Sequence, residues 1–493
     1  MKAWLRGFYY SFPVQLLFLH FRKYQVLLLL WFILFSTING TFMHTFGADS
    51  LYLAPEYLGS VNAFGSAIVG MSVGMFIMSW NITSFILFSR HFKFLAATTN
   101  PFLKYCINNF VIPLLFLIFY FFKAWQFIRY KELVPTIEYL MLAGGFFCGL
   151  ILILFVSFLY FFRADRSIYR RMIPVMNNPK DNFGHLKPGE SPPTESKIIR
   201  VEWYLDSLRT VYKARDVSHY TRDFIEKIFK RHHFAAVLSV FAAFLFLIGI
   251  SFLQDSKFFQ IPAAASTTIF FAVLIGVSGA FTFFLQSWSI PYLIGFLLVL
   301  NLFYKWDWID PRNKAFGLNY QNKNKRPSYS REGLMDMISS EKVQADSANM
   351  IRILDNWKRK QEEEKPLLVV INTSGGGHRS ATFTMSILQR LDSITHGDFM
   401  KKTFLITGAS GGMIGASYFR ELYLRKLKGE KINLQDKKYV DDIAGDLLNP
   451  LFSSFVARDL ISPAMKFEVG SYVYVKDRAY AFESKLNDNT HGF

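Results

Sequence analysis

With 493 residues, 52% hydrophobic and 18% aromatic, the chain is long enough for two or three domains and too apolar for an ordinary soluble enzyme. Its formal net charge of +18 would suit a nucleic-acid binder. In a chain with long uncharged runs, however, an excess of Lys and Arg first marks cytoplasmic loops, so nucleic acid is not expected as a partner. The two cysteines, Cys106 and Cys148, lie in or beside apolar runs and exclude a disulfide framework or a cysteine zinc site.

Residues 1–20 read as an interfacial aromatic helix. The apolar patch Phe12–Phe18 lacks a small-residue cleavage site and is followed by Arg22 and Lys23, which excludes a signal peptide. Uncharged runs then recur at Tyr24–Ala48, Tyr57–Ser89, Tyr105–Phe122, Tyr139–Phe162, His232–Gln254 and Phe258–Tyr304. Each has about 18 residues or more, enough to span a bilayer as helix. The last is long enough for two passes, with a natural break at Gln286, Ser287 and Pro291. Residues 1–304 are therefore expected to form a polytopic α-helical membrane region of six or seven spans. These runs hold no Asp, Glu, Lys or Arg, which disfavours an ion or proton pathway. Gly70-x-x-x-Gly74 and Gly145-x-x-x-Gly149 permit close helix packing, within one chain before between two.

Arg90, Lys93, Lys104 and the strongly basic connection 163–231 fall where cytoplasmic loops should, whereas 47–59 carries only Asp49 and Glu56. From a cytoplasmic N-terminus, six crossings leave the C-terminal part inside and seven leave it outside. Lys305, Arg312, Lys314, Lys323, Lys325 and Arg326 favour inside, with part of Phe258–Tyr304 re-entrant. In the connection, "NNPKDNFGHLKPGESPPTES" is a Pro/Gly/Ser loop, and Ile198 to Arg231 reads as a charged amphipathic helix facing anionic headgroups or solvent. Residues 305–365 comprise a polar linker and an amphipathic helix from Leu334 to Glu364 that Pro366 closes.

Beyond Pro366 the texture changes to that of an α/β domain, 366–493. "LLVVIN" reads as a buried strand, "SGGG" as a turn, and Ala381, Met385, Leu388 and Leu391 mark one face of a helix. "TFLITG", "GASGG" and "MIGASYFRELYLRKL" repeat the plan, so a parallel sheet is expected with both glycine turns at its carboxyl edge, where chemistry collects. The second turn matches G-x-S-x-G, with Ser410 as nucleophile between Gly408 and Gly412. In the first, Gly375, Gly376 and Gly377 would offer backbone N–H groups to an oxyanion, and Arg379 would add positive charge.

The pair "SGGGHRSA" and "GASGG" is similar to the oxyanion motif and nucleophile elbow of patatin-like phospholipases, in order, spacing and strand-turn-helix context. "DRAYAFESKL" resembles a further segment of that superfamily. The resemblance covers roughly residues 366–493. It implies a three-layer α/β fold and a membrane-anchored serine hydrolase that cleaves lipid esters through a Ser-Asp dyad, with no cofactor or metal. The partners implied are the lipid substrate and the bilayer, and the oligomeric state stays open. The family's aspartate stands in an Asp-Gly pair far downstream of the serine, and this chain has no Asp-Gly pair. Asp441, Asp442, Asp446, Asp459 and Asp477 are available after Ser410, none in the family context. The resemblance therefore implies an incomplete hydrolase domain that would be poorly active alone.

Two other readings use the same residues. An inert hydrolase-like domain on a membrane interaction or scaffold protein would explain the missing aspartate. "TGASGGMIG" approaches the glycine turn of short-chain dehydrogenases, with Tyr472 and Lys476 imitating their pair, but Ile414 replaces the last glycine and "SYVYVKD" alternates like a strand. His378 reads as a variable loop residue before a general base.

Overall fold

A computed structural model describes residues 3–23, 25–177, 199–207, 209–215, 217, 222–285, 288–306, 318, 328–461, 465–470 and 472–492. They form two compact units. The first is Met1–Pro311 together with Leu448–Met465, and the second is Arg312–Leu447 together with Lys466–Phe493.

The first unit is helical. Its elements in chain order are α1 (Ala3–Tyr9), α2 (Phe12–Lys23), α3 (Gln25–Asn39), α4 (Ala48–Leu53), the two-residue strands β1 (Glu56–Tyr57) and β2 (Ser60–Val61), α5 (Ala63–Phe88), α6 (Pro101–Asn108), α7 (Val111–Gln126) and α8 (Thr136–Asn177). After these come β3 (Trp203–Leu205), β4 (Val211–Lys213), α9 (Arg222–Leu253), α10 (Ala263–Leu285) and α11 (Ser289–Lys305). Four helices are long and apolar enough to cross a membrane: α5, α7 with its continuation to Lys131, the Thr136–Phe161 part of α8, and α10. The α2–α3 pair, bent by 100°, passes the same test only when taken together, and Val237–Leu253 of α9 and α11 are shorter apolar helices. The protein is accordingly an integral membrane protein, with a helix in each uncharged run.

Helix α5 is apolar all round and lies at the centre, with Val69, Val73, Phe76 and Trp80 fully buried. Its glycines and those of α8 set the approach of the two helices, which run parallel. A Cβ on Gly70 would collide with the carbonyl of Phe146, one on Gly145 with that of Ala63, and one on Gly149 with that of Ala67. The small-residue motifs thus serve packing inside one chain. Helix α10 joins the same centre through Gly279 against Thr83 and a 2.6 Å hydrogen bond from the Ser79 hydroxyl to the Ala272 carbonyl. The N-terminal helix is not merely interfacial, because Phe12, Leu16 and Leu19 of α2 are buried in this core.

Between Ile198 and Arg231 the structure holds a β-hairpin where the sequence reads as one amphipathic helix. Trp203, Tyr204 and Leu205 pair antiparallel with Lys213, Tyr212 and Val211, and α9 covers Arg222–Leu253. Aromatic and β-branched residues in two short runs around a polar turn outweigh the helical spacing of the charges.

The second unit carries α12 (Arg331–Met337), α13 (Ser340–Lys358), β5 (Val369–Thr373), α14 (Gly377–Ile394), β6 (Thr403–Gly408), α15 (Ser410–Leu427), α16 (Lys438–Ala444), β7 (Lys466–Val469), β8 (Tyr472–Val475) and α17 (Arg478–Asn489). Strands β5 and β6 pair in parallel, with Val370 opposite Leu405, Ile371 opposite Ile406 and Thr373 opposite Gly408. Met385 and Leu388 of α14, Phe419 and Leu422 of α15 and Ile443 of α16 form the core, with Ile371 and Ile406 packed against it. Leu368, Val370 and Leu405, by contrast, are exposed. Tyr472 lies on β8, paired antiparallel with β7, so Tyr472 and Lys476 do not share a helix.

Candidate active site

The two glycine turns lie side by side because β5 and β6 are adjacent parallel strands and each runs directly into a helix. The ladder extends past the sheet: the Ala409 amide donates to the Thr373 carbonyl at 3.2 Å. At the next residue the backbone turns sharply, and Ser410 has φ 51°, in the left-handed region that a side chain disfavours. Ser410 is also the first residue of α15 and is exposed. An exposed serine in a strained strand-to-helix turn is the conformation that presents a nucleophilic hydroxyl.

The glycines around it are there for close approach. A Cβ on Gly411 would collide with the Gly377 carbonyl, one on Gly412 with the Ser374 carbonyl, and one on Gly415 with that of Ala381. Gly408 is equally tight against Thr373. These contacts draw the start of α15 onto the start of α14. Gly375 then lies beside the nucleophile: a Cβ built on it would be 3.3 Å from the Cβ of Ser410. Any larger residue at 375 would crowd the serine.

Helix α14 begins at Gly377, which has φ 63°, and its cap residue Gly376 supplies no side-chain hydrogen bond. The first N–H groups of a helix have no intrahelical partner, so this end offers donors to an anion. Arg379 lies in the same first turn and is exposed. A cation at the positive end of a helix dipole costs about 0.3–1 kcal/mol. Its position suits a site that receives negative charge, whether a developing oxyanion or a phosphate.

The structure brings Ser410, Gly375, Gly377, Gly408 and Gly412 into one edge of the second unit, but it gives Asp477 and Asp442 other work. Asp477 caps α17, accepting from the Ala479 and Tyr480 amides at 2.9 and 3.0 Å. Asp442 accepts from the Tyr418 hydroxyl at 3.2 Å and lies 3.4 Å from His491. Burial, reinforced by Asp442, pushes the Tyr418 phenol well above its ordinary range, so it stays a donor. Asp459 belongs to the first unit, and Asp441 is exposed on α16. Among the described residues, no hydrogen bond joins an aspartate to the Ser410 hydroxyl. His378 is engaged too, its Nε2 donating to the Ile443 carbonyl at 2.8 Å.

Sequence reasoning missed Leu448–Ile461, which packs in the first unit although its composition groups it with the second. Asn449 Oδ1 accepts from the Ala263 amide at 2.8 Å, and Arg458 is buried with Nη2 2.7 Å from Asp255. Pro450, Arg458 and Asp459 hide this stretch from any hydropathy window; the one available signal was an adjacent Arg-Asp pair set in the largely apolar "LFSSFVARDLI". No family model, curated protein or solved structure matches this chain.

Proposed function

We propose that this chain is a membrane-anchored serine acyl hydrolase acting on lipid esters. One observation carries the reading: Ser410 stands at φ 51° between a parallel strand and its helix, with Gly375 of the neighbouring glycine turn against it. The Ser410 Oγ would attack the ester carbonyl carbon while its proton passes to a carboxylate. The negative charge that develops on the carbonyl oxygen would be met by N–H groups of Gly375, Gly376 and Gly377 at the uncapped end of α14, with Arg379 adding charge. Collapse of the tetrahedral intermediate breaks the ester bond, and the alkoxide leaves with the proton. Water then attacks the acyl-serine and releases the fatty acid.

The three-layer architecture of patatin-like hydrolases belongs to this proposal. Strand β5, α14, β6 and α15 supply two strands and one helical layer. The exposed Leu368, Val370 and Leu405 suit a sheet whose second face is covered, since parallel sheets are buried on both sides. The acid partner is an aspartate in this reading, and among the described residues none meets Ser410. That feature also favours the second reading, an inert hydrolase-like domain on a membrane scaffold.

Fluorophosphonate labelling of the membrane-embedded chain separates the two. The hydrolase reading expects a labelled band that Ser410→Ala abolishes. An unlabelled wild type, in an extract whose other serine hydrolases react, leaves the scaffold reading standing.

A further inference from the structure

We infer that the C-terminal part of the chain lies on the side of the membrane opposite the basic loops, so that Ser410 draws its lipid from the non-cytoplasmic leaflet. The lipid half of this inference rests on the acyl-hydrolase reading, and the placement stands on the first unit alone.

The helix bundle has two distinguishable ends. At one, His20 Nε2 lies 2.8 Å from Asn109 Oδ1, Lys104 pairs with Asp206, and the Leu205 amide donates to Asn108 at 2.9 Å. This end gathers α2, the 89–110 connection and the β3–β4 hairpin, and it is basic: Arg6, Arg22, Lys23, Lys93, Arg200 and Lys213 stand against Glu202 and Asp206. At the other end the Tyr57 hydroxyl donates to the Phe258 carbonyl at 2.8 Å, Tyr52 and Thr268 share a 3.1 Å hydrogen bond, and Lys131 lies 3.4 Å from Asp49. Here acidic and basic residues are nearly balanced. The excess of Lys and Arg makes the first end cytoplasmic.

Leu448–Ile461 belongs to the second end. Asn449 receives the amide of Ala263 at the start of α10, the Ser453 and Ser266 hydroxyls are 3.3 Å apart, and Leu448 packs against Gly47. Arg458 reaches the last turn of α9 through the Ser251 carbonyl at 3.2 Å and Asp255. Helix α10 runs from this end back to the basic one, so the chain must cross once more between Leu285 and Leu448. Among the described residues α11 is the one apolar helix in that interval. Its 17 residues extend about 25 Å, close to the hydrocarbon thickness. The count is then seven crossings: the α2–α3 pair, α5, α7, α8, α9, α10 and α11. The basic residues after Tyr304 oppose this placement, but the charge rule applies weakly to long translocated domains, whereas the Asn449 and Arg458 contacts exist only at one end.

The test uses the full chain with Cys106→Ser and Cys148→Ser, carried in the surface membrane of sealed cells, with single cysteines added at exposed sites. Lys431→Cys and, independently, Glu341→Cys report on the second unit, and Lys213→Cys on the basic end. A membrane-impermeant maleimide is expected to label Cys at 431 and 341 before permeabilisation and Cys at 213 only after it. Any other pattern overturns the placement, whether or not the protein reacts with fluorophosphonate. If the maleimide pattern holds but fluorophosphonate labelling fails, the lipid half is lost and the topology stands.

Discussion

At the residue scale, the strain at Ser410 is a measurable quantity. A left-handed conformation costs an L-residue about 1–2 kcal/mol and glycine almost nothing. Ser410→Gly should therefore stabilise the second unit by roughly 1 kcal/mol relative to Ser410→Ala, while both lose fluorophosphonate labelling. Thermal unfolding of the two variants in the same detergent checks this, and equal midpoints would show that the turn stores no strain at 410. The same logic separates adjacent glycines of α8. A Cβ on Gly144 meets nothing within 4 Å, whereas one on Gly145 runs into the Ala63 carbonyl. Gly144→Ala should be stabilising by about 0.5–1 kcal/mol through helix propensity. Gly145→Ala should cost about 1–3 kcal/mol by forcing α5 and α8 apart. Two chemically identical substitutions, one residue apart, are thus expected to move the melting temperature in opposite directions.

At the level of elements, the two strand-turn-helix pairs were legible because each is local: an apolar run, glycines, then apolar residues at helical spacing. Their adjacency was legible too, since parallel strands joined by a helix place both turns at one edge. What the sequence concealed depends on contacts far along the chain. The β3–β4 hairpin consists of two three-residue strands, too short for alternation to outweigh charges at helical spacing. The role of α2 was hidden because its face becomes core only through distant partners, with Phe12 meeting Phe92, Phe94 and Tyr105. At the candidate site, Ser410 and Gly375 could be named from the motif, but the engagement of Asp477 as a helix cap and of Asp442 with Tyr418 could not. Asp477 opens α17 in a sequence that reads equally well as a family segment or as an N-cap, and geometry alone separates the two.

For the whole molecule, the decisive contact is the return of Leu448–Ile461 to the helix bundle, and the pair Arg458–Asp255 shows how that return is secured. Arg458 has a side chain 2% exposed, whereas Asp255 is 43% exposed. The asymmetry sets the expected effects. Removing the arginine leaves a carboxylate that water can solvate, so Arg458→Met should cost about 1.5–3 kcal/mol, the value of hydrogen bonds to a charged group. Removing the aspartate leaves the buried guanidinium its bond to the Ser251 carbonyl but no counter-charge, for which the penalty is about 3–5 kcal/mol. The Ser266 and Ser453 hydroxyls, 3.3 Å apart, supply a direct readout. With Cys106→Ser and Cys148→Ser in place, Ser266→Cys and Ser453→Cys should form a disulfide under mild oxidation in the membrane. Adding Asp255→Ala should lower the cross-linked fraction more than adding Arg458→Met. Absence of any cross-link in the parent would detach Leu448–Ile461 from α10 and with it the argument for a seventh crossing. A larger loss from Arg458→Met than from Asp255→Ala would mean that the arginine holds the segment by packing its long stem rather than by its charge.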